Sequence, residues 1–510
     1  MLTVNYRNKL SLKKQSLNGA LWTLIDIIVN KGSYFIATII LARILGPREF
    51  GIIGMITLFV TIGNVIVDSG MSTSLLRTNK ITETDYSTVF IINIVTSLIV
   101  YCLLFFTAPF IASFYKQLIL IDVIRIYGLG ILINSFRSIH NVKLTKDLQF
   151  KILTILNLPG NIISLIVAIY LGHLGFGVWS LVYLFIVNQI ISTFIFWLAI
   201  KWRPSLEFDY SKFKYHFKFG YKLLLSAQLN VIFENIYNVL IGKFYNIKVL
   251  GFYERAYAFN SYPVSILSSI ITKVSLPSLT LIKDDSDRLQ NAYKNILQIA
   301  FYISATGLCF GALLAHQFVS IVLGDNWLQV VPIFQILALS FIFYPIHSLN
   351  INILSVFGRS DLFLQLEIIK KITFLIIILF SFNFGILGLV WSSVINSIIG
   401  LIINTYYSGK FLNYPTIKQL RDLIPTFAVV LASMFVIYIF LSNNNSSHLI
   451  QIISSFGLGF LTLIIFSELI KLAPYIHLKH LTAELINKCY KLQKLFSHLL
   501  NHINTKFKGF

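Results

Sequence analysis

Ionisable and amide side chains recur inside stretches that are otherwise apolar, at helical spacing. Asp26 and Asn30 stand four apart with Lys31 beside them, and Asn64 and Asp68 are again four apart. Arg125, Asn134 and Arg137 share one stretch, the last two three residues apart, and Asn230, Glu234 and Asn238 fall at i, i+4 and i+8. Residues three or four apart lie on one helix face. A charge in an apolar span is costly, so it faces protein or an aqueous cavity rather than lipid. The chemistry open to these groups is recognition and proton binding. A cation attracts an anion, amides hydrogen-bond hydroxyls, and a buried carboxylate takes up a proton more readily than an exposed one. Each group also has a plainer reading. Asp26 and Lys31 can neutralise each other and only fix packing, Arg125 and Arg137 can reach toward the two headgroup layers, and Glu234 can accept hydrogen bonds from a neighbouring helix. Glu367 with Lys370 and Lys371 reads as a local pair, Asp68 as a helix-end residue, and Tyr344, His347 and Asn350 as sugar contacts or as packing.

Several kinds of chemistry have no residues to carry them. No GxxxxGK[ST], HExxH or GxSxG pattern occurs, and Cys102, Cys309 and Cys489 are far apart, with neither a metal-ligand spacing nor a disulfide framework. The expectation is a protein that is not an enzyme and holds no metal or resident cofactor, its energy coming from H+ or Na+ coupling if it is coupled at all.

The elements that must position these residues follow from composition. The chain has 510 residues, 56% hydrophobic and 12% charged, with a mean hydropathy of +0.78. Soluble domains carry about 25% charged residues, so a water-facing enzyme and a disordered chain are both excluded. Apolar runs cover 17–44, 50–75, 86–113, 118–142, 150–171, 175–200, 219–243, 251–277, 290–316, 329–356, 362–383, 385–408, 422–441 and 447–470. They are long and continuous, unlike the ten-residue alternation of membrane strands. The fold class expected is an all-α polytopic membrane protein of about 14 transmembrane helices.

The formal net charge of +21 lies between the apolar runs, which points to cytoplasmic loops and anionic membrane lipids as partners and not to nucleic acid. With both termini in the cytoplasm, most of the 41 Lys and Arg fall inside, and Arg43, Arg48, Lys116, Lys243, Lys248 and Arg255 fall outside. LARILGPREFG at 41–51 and IGKFYNIKVLGFYERA at 241–256 stand about 200 residues apart, and GFGVWSL at 175–181 echoes LGLVWSS at 387–393. These echoes suggest two six-helix pseudo-symmetric lobes plus two extra helices. The boundaries expected are 1–200 and 219–410 for the lobes, 201–218 for a cytoplasmic linker, 411–472 for spans 13 and 14, and 473–510 for a basic amphipathic tail.

LARILGPREFGIIGMITLFVTIGNVIVDSGMSTSLL with ETDYSTVFIINI, and GFYERAYAFNSYP with VSLPSLTLIKDD, resemble the bacterial polysaccharide exporters of the colanic-acid-exporter type. These belong to the multidrug/oligosaccharidyl-lipid/polysaccharide exporter superfamily. The resemblance runs from about residue 14 to about residue 440. It implies two lobes around a central cavity, alternating access, and flipping of undecaprenyl-diphosphate-linked oligosaccharide repeat units from the inner to the outer leaflet of the bacterial cytoplasmic membrane. The expected partners are that lipid-linked oligosaccharide and, in surface-polysaccharide assembly, a polymerase and glycosyltransferases. A diphosphate crossing a low-dielectric region needs cations, and its sugar needs amide and hydroxyl walls. Lys31, Asp26, Asn30, Arg125, Asn134, Arg137, Asn230, Glu234 and Asn238 are the cavity candidates. Three rivals stand beside this reading, one of them a non-transporting scaffold. A multidrug/cation antiporter would favour an acidic, aromatic pocket, and a membrane-bound polysaccharide polymerase or ligase would need a large catalytic outer loop, where this sequence has only short ones.

Overall fold

A computed structural model describes residues 25, 29–30, 32–205, 207–444, 446–480 and 482–484. Asp26, Lys31 and most of the basic tail therefore lie outside the described residues. Among those described there is no strand. Ten helices are long and apolar enough to cross a membrane, or eleven if one bent pair counts as a single span. The architecture is thus the all-helical, multi-pass one expected; among the described residues length and composition give ten to eleven candidate spans, with Asp361–Leu412, which covers two of the expected runs, counted once.

The chain forms two compact units, one of residues 1–266, 319–334 and 382–390, the other of residues 267–318, 335–381 and 391–510. The first contains α1 (Gly32–Ile44), α2 (Pro47–Asp68), α3 (Met71–Arg77), α4 (Glu83–Tyr115), α5 (Leu120–Lys146), α6 (Phe150–His173), α7 (Val178–Ala199), α8 (Tyr210–Glu234) and α9 (Ile236–Phe244). It also holds the start of α10 (Ile247–Leu281), which continues into the second unit.

Local chemistry sets the helix ends. Pro47 occupies the first turn of α2, where its missing N–H costs nothing. Thr82 and Asp85 form a reciprocal capping box at α4. Asp209 accepts from the amides of Ser211 (2.8 Å) and Lys212 (3.3 Å) to cap α8, and the hydrogen bonds from Ser211 hold its carboxyl below the usual carboxylate range. The run expected at 50–75 is broken in two. Ser69 (φ 48°) and Gly70 (φ 67°) are both left-handed, and a Cβ on Gly70 would lie 2.5 Å from the carbonyl oxygen of Gly220. Only glycine allows that turn and that approach of α8.

α5 carries Asp122, Arg125, Arg137, Lys143 and Lys146, and it is not among the helices that qualify as apolar spans. It packs along α4 and α7, so protein covers much of its polar surface. Beside it, fully buried His216 of α8 meets Ser74 Oγ through Nδ1 (2.8 Å) and Asp85 Oδ1 through Nε2 (3.2 Å). The order imitates a catalytic triad, but Ser74 is only 3% exposed. The trio therefore acts as a tie between α3, α4 and α8.

The second unit contains α11 (Ser286–Leu313), α12 (Ala315–Val322, whose last four residues belong to the first unit), α13 (Val330–Phe341, whose first five residues do), α14 (Tyr344–Val356), α15 (Ser360–Ser381), α16 (Gly385–Leu412, whose first six residues belong to the first unit), α17 (Thr416–Ser442), α18 (His448–Leu469) and a short helix α19 at 473–480. Its core is tied by buried polar groups. Tyr293 donates to Asn350 (2.9 Å) and Gln419 (3.2 Å), and His347 bridges Ser397 and Asn404, each at 3.2 Å. His347 and Asn350 thus have protein partners, and Glu367 forms the expected local pair with Lys370.

Candidate functional site

The first unit gathers polar groups between α5, α6 and α7. Arg137 of α5 donates to three neutral amides: Asn134 one turn back (3.2 Å), Asn157 of α6 (3.2 Å) and Gln189 of α7 (3.3 Å). Its guanidinium lies 5.4 Å from the centre of the Phe196 ring, and its buried Nε has no partner. No carboxylate pairs with it among the described residues, so its charge is solvated by amide dipoles without being cancelled. Arg137 thus finds protein acceptors on α6 and α7 within the length of its side chain.

One turn along α6 from Asn157, Asn161 donates to Asn30 (2.8 Å) and accepts from Asn188 of α7 (2.7 Å). Asn161 and Asn188 border a cavity of about 310 Å³ that Ser33, Tyr34, Tyr127 and Gln189 also line. Tyr127 stacks on Phe185, with ring centres 4.0 Å apart. Among the described residues one cation, a set of amides and an aromatic wall thus stand within one helix cluster. Such a set can take a group that is anionic at one point and hydroxylated around it.

The structure brings some of the predicted residues together and separates others. Asn30, Asn134 and Arg137 belong to this cluster. Arg125 does not: it packs 4.2 Å over the Phe105 ring, with Nε 3.5 Å from the Phe105 carbonyl, twelve residues or roughly 18 Å of helix from Arg137. The Asn230–Glu234–Asn238 stripe is split, because the chain bends by 41° between α8 and α9. Asn235 sits at the break, and its side-chain amide donates to the Val231 carbonyl (2.9 Å) beside its own backbone N–H (3.1 Å). Asn230 and Glu234 are exposed, whereas Asn238 is buried and donates to Glu254. Glu254 and Arg255, assigned from sequence to an outer loop, lie inside α10. That helix begins at Ile247, four residues before the run expected at 251, and Asn246 Oδ1 accepts from the Lys248 amide (3.0 Å) at its start. Arg255 is 9% exposed and lies 4.3 Å over the Phe50 ring.

Sequence reasoning missed Asn157, Asn161, Asn188 and Gln189. The signal was present as an i, i+4 asparagine pair in one apolar run and an Asn-Gln pair in the next. Neither pair carries charge, so a search for intramembrane ions passes over both.

Residues 40–332 match the family described as polysaccharide biosynthesis protein. The chain belongs to this family. The matched stretch contains both blocks that carry the sequence resemblance. Among members of the polysaccharide biosynthesis family, the chain is 26% identical over 360 residues to the teichuronic acid biosynthesis protein TuaB of Bacillus subtilis (strain 168), across 69% of this chain and 73% of that one. It is 24% identical over 321 residues to the succinoglycan biosynthesis transport protein ExoT of Rhizobium meliloti (strain 1021), across 62% and 65%. Its fold is similar to that of the lipid II flippase MurJ in an inward closed conformation, with a TM-score of 0.73 at 16% identity over 89% of this chain and 98% of that one. The protein is thus a multi-pass member of the polysaccharide biosynthesis protein family with a MurJ-like helical fold.

Proposed function

We propose that the protein flips an undecaprenyl-diphosphate-linked oligosaccharide from the inner to the outer leaflet of the bacterial cytoplasmic membrane by alternating access, and performs no chemistry on it. The observation that carries this reading is Arg137, a cation held by neutral amides beside an amide-lined cavity. A diphosphate needs uncancelled positive charge to leave water, and the attached sugars need amide donors and acceptors. A pocket for a cationic drug would need the opposite sign. The names of the relatives, in teichuronic acid and succinoglycan biosynthesis, agree with a glycan cargo. In this reading residues 1–200 and 219–410 are the moving lobes, and Glu234 binds the proton when a gradient resets the cycle.

The test is transport itself. Proteoliposomes holding the purified full chain and a fluorescent undecaprenyl-diphosphate oligosaccharide should move the head group across the bilayer faster than protein-free vesicles. No acceleration with any polyprenyl-diphosphate oligosaccharide would refute the assignment. Orientation has its own measurement. In intact cells, single cysteines placed at Lys212 and Lys116 should be reached by an impermeant thiol reagent at Lys116 only, and labelling at Lys212 would reverse the topology.

A further inference from the structure

The most specific motifs of the sequence do not build the cluster around Arg137. LGPREFG at 45–51 and LGFYERA at 250–256 meet instead where α1 ends and α2 and α10 begin. Their glycines interlock: a Cβ on Gly51 would lie 2.0 Å from the Ile247 carbonyl oxygen, and one on Gly251 would lie 1.8 Å from that of Pro47. The crossing is backbone on backbone, and it holds open a crevice of about 870 Å³ beside it. Arg43, Arg48 and Lys248 line this crevice against a single carboxylate, Glu49. Arg43 donates to the Ile321 carbonyl (2.7 Å), and no ion pair involves any of the four among the described residues. Asn326 and Gln329 add amides on the same wall. The helix starts at Pro47 and Ile247 add the positive ends of two helix dipoles, and Gly46 places no side-chain acceptor on the first of them.

We propose that this crevice binds a phosphate ester bearing hydroxyls, at the end of the first unit opposite the Asp209 cap. Three basic side chains around a solvated cavity favour a dianion over a single carboxylate, and amides at the rim suit the hydroxyls of a glycerol or sugar. Two sources share this chemistry: a phospholipid head group, and the diphosphate of a lipid-linked glycan. The site stands on its own geometry, and only the second source rests on the transport reading.

The experiment uses the purified full chain in phosphatidylcholine nanodiscs, titrated calorimetrically with inorganic pyrophosphate. Saturable binding is expected, falling as salt rises. Arg48→Gln and Lys248→Gln should each weaken it about tenfold, since each removes one charge-assisted contact. Lys248→Arg should retain it, and Lys116→Gln, a basic residue outside the crevice, should leave it unchanged. Competition by phosphatidylglycerol placed in the disc would identify a phospholipid as the source, and competition by undecaprenyl diphosphate alone would identify the glycan carrier. Absence of saturable binding overturns the site. So does binding that survives Arg48→Gln and Lys248→Gln but is lost in Arg137→Gln, which would put the anion in the α5–α7 cavity. A flipping assay that fails while pyrophosphate still binds here would sink the transport reading and leave the crevice standing.

Discussion

Arg137→Gln should abolish most transport while the protein still inserts and folds. The side chain is the only cation in the α5–α7 cluster among the described residues, and its three partners are neutral amides. Glutamine keeps two N–H donors for those amide oxygens, so the cost to folding is one or two hydrogen bonds, about 1–2 kcal/mol. The charge is lost entirely. A contact to a charged group contributes about 1.5–3 kcal/mol, so the rate should fall roughly 10- to 100-fold if the diphosphate passes Arg137. Arg137→Lys should recover part of the rate, because lysine restores the charge but not a planar fork that reaches three amides on three helices. The flipping assay reads the rate, and a thermal melt in detergent separates folding from function. Normal transport by a stable Arg137→Gln protein would reduce Arg137 to a packing group and remove the observation on which the proposed function rests.

Gly251→Ala should damage the protein before any question of transport arises. Its new methyl would lie 1.8 Å from the carbonyl oxygen of Pro47, inside any allowed contact. The obstacle is backbone at the first turn of α2, which cannot swing aside like the end of a side chain. α2 and α10 would have to part, opening the packing of Phe50, Phe252 and Trp327. Overpacking of this kind costs about 1–3 kcal/mol and sometimes more. Gly51→Ala should act alike, since its methyl would meet the Ile247 oxygen at 2.0 Å. Gly307→Ala is the control. It lies inside α11 with nothing within 4 Å of the added carbon, so alanine should leave stability unchanged or raise it by up to about 1 kcal/mol. The midpoint of thermal aggregation in detergent should drop for Gly251→Ala and hold for Gly307→Ala. Equal behaviour of the two would mean that α2 and α10 do not cross as closely as the structure has them.

Much of this protein was legible along the chain. Apolar runs announced helices because burying a backbone in lipid demands internal hydrogen bonds, a requirement each segment meets alone. The family was legible because its two signature blocks are contiguous strings of residues. Of the candidate site, Arg137 was legible as a charge inside an apolar run. What only the tertiary structure decided is which groups meet. Asn157, Asn161, Asn188 and Gln189 look like ordinary interruptions of apolar runs until α6 and α7 gather them, with Asn157 and Gln189 on Arg137, because an uncharged amide does not stand out as an intramembrane charge does. Glu254 and Arg255 read as loop residues, since a pair of charges at the edge of an apolar run looks like the end of a span. In the structure Asn238 and the Phe50 ring cover them, and the helix continues. The stripe through Glu234 read as one face, because periodicity assumes a straight helix, and the chain bends by 41° between α8 and α9. Length, helicity and family depend on properties summed along the chain. Partnership depends on which surfaces pack, and that was settled by contacts such as Gly51 on Ile247, a fit of backbone to backbone that no single segment contains.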